Sequence, residues 1–284
     1  MKAALECIPC ALRQTLRAVK FAGRREDAEK ALRRVMSTLC GLSWDVPPMA
    51  LGFEVYRAIR ESLMVEDPYA EEKRRLNQLA LKHASELKGL IRKSRDPLDT
   101  AIRLAIAGNV IDYGSLEKFD LKSTVERFLK EKPAIYDIDI LREKLQKARS
   151  IIYFLDNAGE AVFDKLLAET IQSLYGEKHF IFVVRSTPII NDVSLRDVEE
   201  INLSELGSVE VRAMPSESLY EWLRFRATLE KWFKEADVAL SKGQGNFELL
   251  SDYPGIFFMF AVKCEVVASM LKVKLGSQVL YMST

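Results

Sequence analysis

Two short runs, SIIYFLD at residues 150–156 and HFIFVVRS at residues 179–186, constrain this chain more than any other feature. Both are almost wholly apolar and rich in β-branched and aromatic residues, and both end on polar ones. Apolar runs of that length, without alternation, suit strands buried on both faces. The segment between them, GEAVFDKLLAETIQSLYG, has helical periodicity and closes on a glycine. Strand, helix and strand in that order make a β-α-β crossover, whose strands run parallel. VEVRAM, ADVALSKG, GIFFMFAV and QVLYM are further strand candidates, and SESLYEWLRFRATLEKWFKE is a helix between two of them. Residues 148–284 are therefore expected to form a Rossmann-like three-layer α/β/α domain with a mostly parallel sheet.

Residues 1–147 read as helical. Leu12, Leu16 and Val19 recur at helical spacing between Ile8 and Phe21, and GRREDAEKALRRVMSTLCGL repeats the pattern between Gly23 and Gly41. Asp45, Pro47 and Pro48 mark a break before MALGFEVYRAIRESL. Asp67 and Pro68 open AEEKRRLNQLALKHASELKGLIRKS, and Pro97 starts DPLDTAIRLAIAG. No strand pattern occurs before about residue 148. The expectation is a helical domain over 1–147 packed on the α/β domain, with the stretch from about Leu116 to Ala148 as connector.

Lys and Arg number 42 against 41 Asp and Glu, a net charge of +1, so no strongly positive field invites nucleic acid. No segment reaches the ~18 to 20 apolar residues of a membrane span. Lys263 and Glu265 break the most apolar stretch, while Glu6 and Arg13 interrupt the N-terminus too early for a signal-peptide core. A cytoplasmic protein is expected. In that setting Cys7, Cys10, Cys40 and Cys264 are not a disulfide framework. Cys7 and Cys10 form a CxxC, CIPC, without a second CxxC, and neither His83 nor His179 is near it in sequence. A redox pair, half of a metal site, and simple packing on a first helical turn all remain open for it.

Ligands of open parallel sheets bind beyond the carboxyl ends of the strands. There the chain places LDNAGE, VVRSTPIINDVS and LSKGQGNFE. Asp156 and Asn157 are adjacent hard oxygen donors suited to a divalent cation, and Gly159 lets the chain turn into the helix that starts near Glu160. Asp156 could equally cap that helix. Asp192, on the loop after the second strand, could complete a three-oxygen ligand set or cap VSLRDVEE. Arg185 is placed to clamp a phosphate or to pair with an acid. Around Gly243 and Gly245, Lys242 and Asn246 flank backbone that can face an anion, although the pattern fits neither a Walker A loop nor a dinucleotide fingerprint. In AGNVIDYG, Asn109 and Asp112 share one helical face, either as a local cap or as a wall leaning over the sheet.

CIPC, DPYAEEK, AGNVIDYG, LDNAGE, VVRSTPIINDVS, SKGQGNFE and AVKC occur in the order found in the damage-control phosphatases, once catalogued as domain-of-unknown-function family 89. The chain resembles that family over essentially its whole length, and CIPC makes it similar to the CxxC-bearing subfamily I. The resemblance implies a helical part on a Rossmann-like domain and a phosphatase dependent on Mn²⁺, Ni²⁺, Co²⁺ or Mg²⁺. It implies small phosphorylated metabolites as partners: sugar phosphates, phosphopantetheine-type compounds or damaged nucleotides. It puts the metal on Asp156, Asn157 and Asp192, and the phosphate on Lys242, with Arg185, Asn109 and Asn246 as further phosphate-binding candidates. On that set Asp156 is either a nucleophile forming an aspartyl phosphate or, as favoured here, a ligand of a metal that activates a water, with Glu160 or Asp112 as general base or leaving-group partner. Rival expectations are a carboxyl methyltransferase using S-adenosylmethionine and a metal- or metabolite-binding module without turnover.

Overall fold

A computed structural model describes residues 1–108 and 121–284. The chain opens with five helices: α1 (Cys7–Phe21), α2 (Ala28–Gly41), α3 (Pro48–Leu63), α4 (Ala70–Lys93) and α5 (Pro97–Gly108). Proline in the first turn of α3 costs no hydrogen bond and pre-sets the backbone, so the break read at Pro47 and Pro48 is also a helix start. Helix α6 (Leu121–Lys130), strand β1 (Ile135–Tyr136) and helix α7 (Ile138–Lys147) follow. The remainder alternates: β2 (Ser150–Phe154), α8 (Glu160–Tyr175), β3 (His179–Arg185), a short α9 (Val198–Ile201), β4 (Val209–Met214), α10 (Leu219–Glu235), β5 (Val238–Lys242), α11 (Gln244–Leu250), β6 (Ile256–Ala261), α12 (Glu265–Leu271) and β7 (Gln278–Met282). Ser218 caps α10 by accepting from the Glu221 amide at 3.2 Å, the S-x-x-E arrangement of a helix N-terminus.

The strands form one sheet in the order β1-β7-β6-β5-β2-β3-β4. All neighbours are parallel except β6 and β7. The mixed α/β fold with a mostly parallel sheet is thus present. β2 lies inside the sheet next to the central β5, and the order reverses between them: the chain goes outward from β2 through β3 and β4, then returns to place β5 on the other side.

Side chains along β2 alternate between two cores. Ile151 and Tyr153 join one cluster, with Phe180, Phe182, Leu240 and Met259 from the sheet and Ile91, Ile102, Leu145 and Val162 from α4, α5, α7 and α8. Ile152 and Phe154 join the other, with Ile181, Phe258 and Val279 from the sheet. Its helical cover comes from Val19, Val35 and Phe53 on α1–α3, and from Trp222, Phe247 and Val267 on α10–α12. The period of two along a strand is what feeds both layers from one sequence. The early helices therefore straddle the sheet, and both clusters cross the expected 147/148 boundary.

One expectation is corrected. β1 lies before residue 148, inside the stretch read as a connector, and pairs Ile135 with Val279 and Tyr136 with Leu280. Two residues are too few to show any alternation. Among the described residues no helix is long and apolar enough to cross a membrane.

Candidate active site

The strand order reverses between β2 and β5, and beyond the ends of such strands parallel sheets place ligands. Beyond β2 come Asp156 and Asn157, beyond β5 comes Gly243, and β3 ends at Arg185. The loop after β3 folds back onto the end of β2. Asn157 and Asp192 form an antiparallel bridge, the Val193 amide donates to the Asp156 carbonyl at 2.7 Å, and the Ala158 amide donates to the Asn191 carbonyl at 2.9 Å. The three oxygen-bearing residues expected around a cation are thereby neighbours.

Their side chains are nearly closed off from water: Asp156 and Asn157 are each 6% exposed and Asp192 3%. The Asn157 amide nitrogen donates to Asp156 Oδ2 at 2.5 Å and to Glu160 Oε2 at 2.9 Å. That leaves its amide oxygen with lone pairs to offer. Arg185 Nε donates to Asp192 Oδ2 at 2.8 Å. The other two guanidinium nitrogens of Arg185 are buried and have no hydrogen-bond partner. Burial pushes Asp156 well above the usual carboxylate range, and the charges of Asp192 and Glu160 add to it. Burial likewise raises Asp192, against the pull of Arg185. Gly243 takes φ +77°, and a Cβ there would fall 2.0 Å from Asp156 Cγ, so both its conformation and its space demand glycine.

Lys242 anchors a second cluster alongside. It is fully buried, and its ammonium donates to Glu160 Oε1 at 2.5 Å, Asp164 Oδ1 at 2.7 Å and the Ala105 carbonyl at 2.8 Å. The Tyr153 hydroxyl donates to the same Asp164 oxygen at 2.8 Å. Burial alone would lower Lys242, but Asp164 and Glu160 outweigh it and hold it above the usual lysine range. Burial raises Asp164 to about 6 despite Lys242.

The whole-chain comparisons can be set against this geometry. A family model described as the damage-control phosphatase ARMT1-like domain matches residues 3–279. The chain belongs to that family. It is 34% identical over 285 residues to the damage-control phosphatase PH1575 of Pyrococcus horikoshii, covering 98% of this chain and 97% of that protein. It is 31% identical over 246 residues to a damage-control phosphatase of Archaeoglobus fulgidus, covering 81% and 80%. The crystal structure of the DUF89 family protein PH1575 superimposes with a TM-score of 0.87 at 32% identity, over 100% of both chains.

In this member of the damage-control phosphatase family the expected residues divide into four groups. Asp156, Asn157, Glu160, Asp192 and Arg185 meet at the head of the sheet. Lys242 and Asn246 stand beside them but are differently employed. All three donor positions of Lys242 go to protein oxygens, which ties Glu160 and Asp164 to the Ala105 carbonyl. The Asn246 amide nitrogen donates to the Leu155 and Lys242 carbonyls, both at 2.9 Å, and ties the ends of β2 and β5 together. Its remaining buried oxygen only accepts, so it cannot donate to a phosphate oxygen. Asn109 and Asp112 lie outside the described residues. The chain approaches them past Glu160: a Cβ on Gly108 would stand 3.4 Å from Glu160 Cγ. Cys7 and Cys10 sit on the first turn of α1, in the wall of a separate cavity.

Several site residues were not foreseen. Asp164 lies four residues after Glu160, and like charges at that spacing in a buried helix were a usable signal. Lys73, the last residue of DPYAEEK, is 2% exposed and bridges Asp67 Oδ2 and Asp197 Oδ2, each at 2.7 Å. The same Asp197 oxygen accepts from the Ser194 amide at 2.8 Å and hydroxyl at 2.7 Å, which pins the loop carrying Asp192. Asn77 Oδ1 accepts from the Gly159 amide at 2.6 Å, fixing the turn between Asn157 and α8. No sequence pattern pairs positions so far apart.

Proposed function

We propose that this chain is a metal-dependent phosphatase that hydrolyses phosphomonoesters of small metabolites, in metabolite damage control. Sugar phosphates, phosphopantetheine-type compounds and damaged nucleotides are the substrate classes to test. One juxtaposition supports the reading above all. Two buried carboxylates that repel each other stand beside a buried guanidinium with two unpartnered nitrogens. A cation answers the first need and a phosphate the second.

The residues fit a divalent metal. The donors are hard oxygens, the cradle at Gly243 leaves Asp156 no room to retreat, and Asp156 and Asp192 both carry charge that burial disfavours. Among the described residues no three His, Cys, Asp or Glu side chains are gathered around one point. Asp156 and Asp192 would hold the ion together with the Asn157 amide oxygen, a hard-oxygen set of the kind Mg²⁺-like cations take. When bound, such an ion supplies Lewis acidity toward a phosphate oxygen and a lowered pKa for a coordinated water.

The protein's own groups do the rest. Burial and the charges of Asp192 and Glu160 disfavour the Asp156 anion, and a cation beside it would offset that penalty. Arg185 presents two N–H-bearing nitrogens already desolvated and oriented by Asp192, and non-bridging phosphate oxygens satisfy them bidentately. Glu160 accepts from Asn157 and from Lys242, which suits it to orient Asn157 better than to take a proton. The test is phosphate release from a panel of phosphomonoesters with Mn²⁺, Ni²⁺, Co²⁺ and Mg²⁺. Release with at least one cation, lost in Asp156→Asn, is the expected outcome. Tight binding without release in every combination would replace the enzyme by a binding module.

A further inference from the structure

A cavity of about 430 Å³ opens between α1, α3, α11 and the turn from β6 into α12, apart from the cluster around Asp156. Cys7, Cys10, Cys264, Glu248, Gln244 and Lys263 are in its lining. Three of the four free cysteines are thus half-buried around one space, whereas Cys40 is exposed and outside it. Cys7 and Cys10, three residues apart, share one face of α1. Cys264 is the N-cap residue of α12, and Glu248 lies on α11. Cys7 is within electrostatic reach of Glu248, Cys264 and Cys10.

The bridging group is Gln244. Its amide nitrogen donates both to Glu248 Oε1 at 3.1 Å and to Cys264 Sγ at 3.2 Å. Its amide oxygen accepts from the Lys263 amide at 3.0 Å, which fixes the orientation. A carboxylate and a sulfur therefore converge on one partial positive charge. The Cys10 sulfur also accepts a glutamine amide, from Gln14 at 3.6 Å.

We infer that Cys7, Cys10, Cys264 and Glu248 form a second cation site, for a borderline-soft divalent ion of the zinc class, with Gln244 standing where the ion goes. Three thiolates and a carboxylate are a four-ligand set for zinc. They differ in chemistry from the all-oxygen group at Asp156, so the two sites sort cations by softness. The four side chains do not yet converge on one point; the ion displaces the Gln244 amide and draws α1 toward α11 and α12. The Cys thiols lose protons to solvent on binding, and no redox change is involved. Gln244 directly follows Gly243, whose backbone cradles Asp156, so the clamp also steadies the catalytic turn. The inference does not depend on the phosphatase reading.

The test is to strip the full chain with a chelator under reducing conditions and titrate it with Co²⁺. Sulfur-to-cobalt charge-transfer absorbance in the near ultraviolet should saturate with thiolate ligation, persist in Cys40→Ser and Asp156→Asn, and be lost in Cys10→Ser and Cys264→Ser. Absence of the band in the unaltered chain, or its full retention in both of the last two variants, overturns the site. Should those variants fail to fold by circular dichroism, iodoacetamide labelling of the unaltered chain decides. Zn²⁺ should protect Cys7, Cys10 and Cys264 and leave Cys40 reactive; protection of fewer of the three refutes the assignment.

Discussion

Lys242 and Arg185 both end strands at the head of the sheet, both are buried, and both meet carboxylates, yet their surroundings are built differently. The lysine has three donors and three acceptors around it. The arginine spends Nε on Asp192 and leaves two nitrogens without a partner. Around Lys242, cation and anions are matched, and the network fixes shape. Around Arg185, burial leaves two guanidinium nitrogens without a partner, which is tolerable only if something else completes the set. The difference teaches that the closed cluster is a scaffold and the open one is where ligands are expected.

Asp156→Asn should abolish measurable phosphate release with every cation. In chelator the same variant should gain stability near neutral pH, by about 2–4 °C per kcal/mol recovered for a chain of this size class. The sign follows from linkage: an acid whose folded pKa is raised contributes stability fully below its unfolded pKa, and that contribution is lost as pH rises through the folded value. Asp156 behaves so, and Asp164 does too, through about 6. Calorimetry of the metal-free chain at pH 4.5–5 and at 8 should therefore show the Asp156→Asn gain growing with pH; a gain independent of pH would contradict it.

Lys242→Met comes next. It leaves Glu160 and Asp164 buried against each other without a cation, a loss of about 3–5 kcal/mol. Adding Asp164→Asn should restore part of it, and denaturant titrations of the single and double variants measure how much. If Lys242 instead contacts phosphate, its loss would appear in turnover with little change in stability.

Arg185→Met should lower phosphate release about a hundredfold to a thousandfold, the usual cost of one oriented donor to a developing oxyanion. Inorganic phosphate as a competitor should lose affinity in parallel, which inhibition constants would show. Smallest is Asn77→Ala, which strips the buried Gly159 amide of its acceptor for about 1–3 kcal/mol. Unchanged unfolding would mean that the turn into α8 holds without it.

Much of the sheet was legible because buried strands announce themselves as short apolar runs bounded by polar residues, as β2, β3 and β6 do, whereas β4 alternates, with Glu210 and Arg212 between its apolar residues. β1 escaped because two edge residues carry no period. At the site, Asp156, Asn157, Asp192 and Arg185 were locatable since each follows a strand end. The roles of Lys242 and Asn246 were not, because whether a donor is free depends on neighbours such as Ala105 and Leu155 that are distant in sequence. Lys73 looked like one more surface lysine of a charged helix, and only the loop bearing Asp197 turns it into a buried strut.

The straddling of the sheet by α1–α5 bears on how the polypeptide comes into being. A ribosome delivers these helices first, when the surface they are to cover does not yet exist, so their apolar stripes must wait for β2 and its successors. The wait ends late: β7 is inserted between β1 and β6, and without it β1 has no partner. A nascent chain stopped short of residue 278 would expose greasy helices on both flanks of an unfinished sheet. Arrival of β7, rather than sequential closure of an N-terminal unit, should then be the event that commits this fold to its native form.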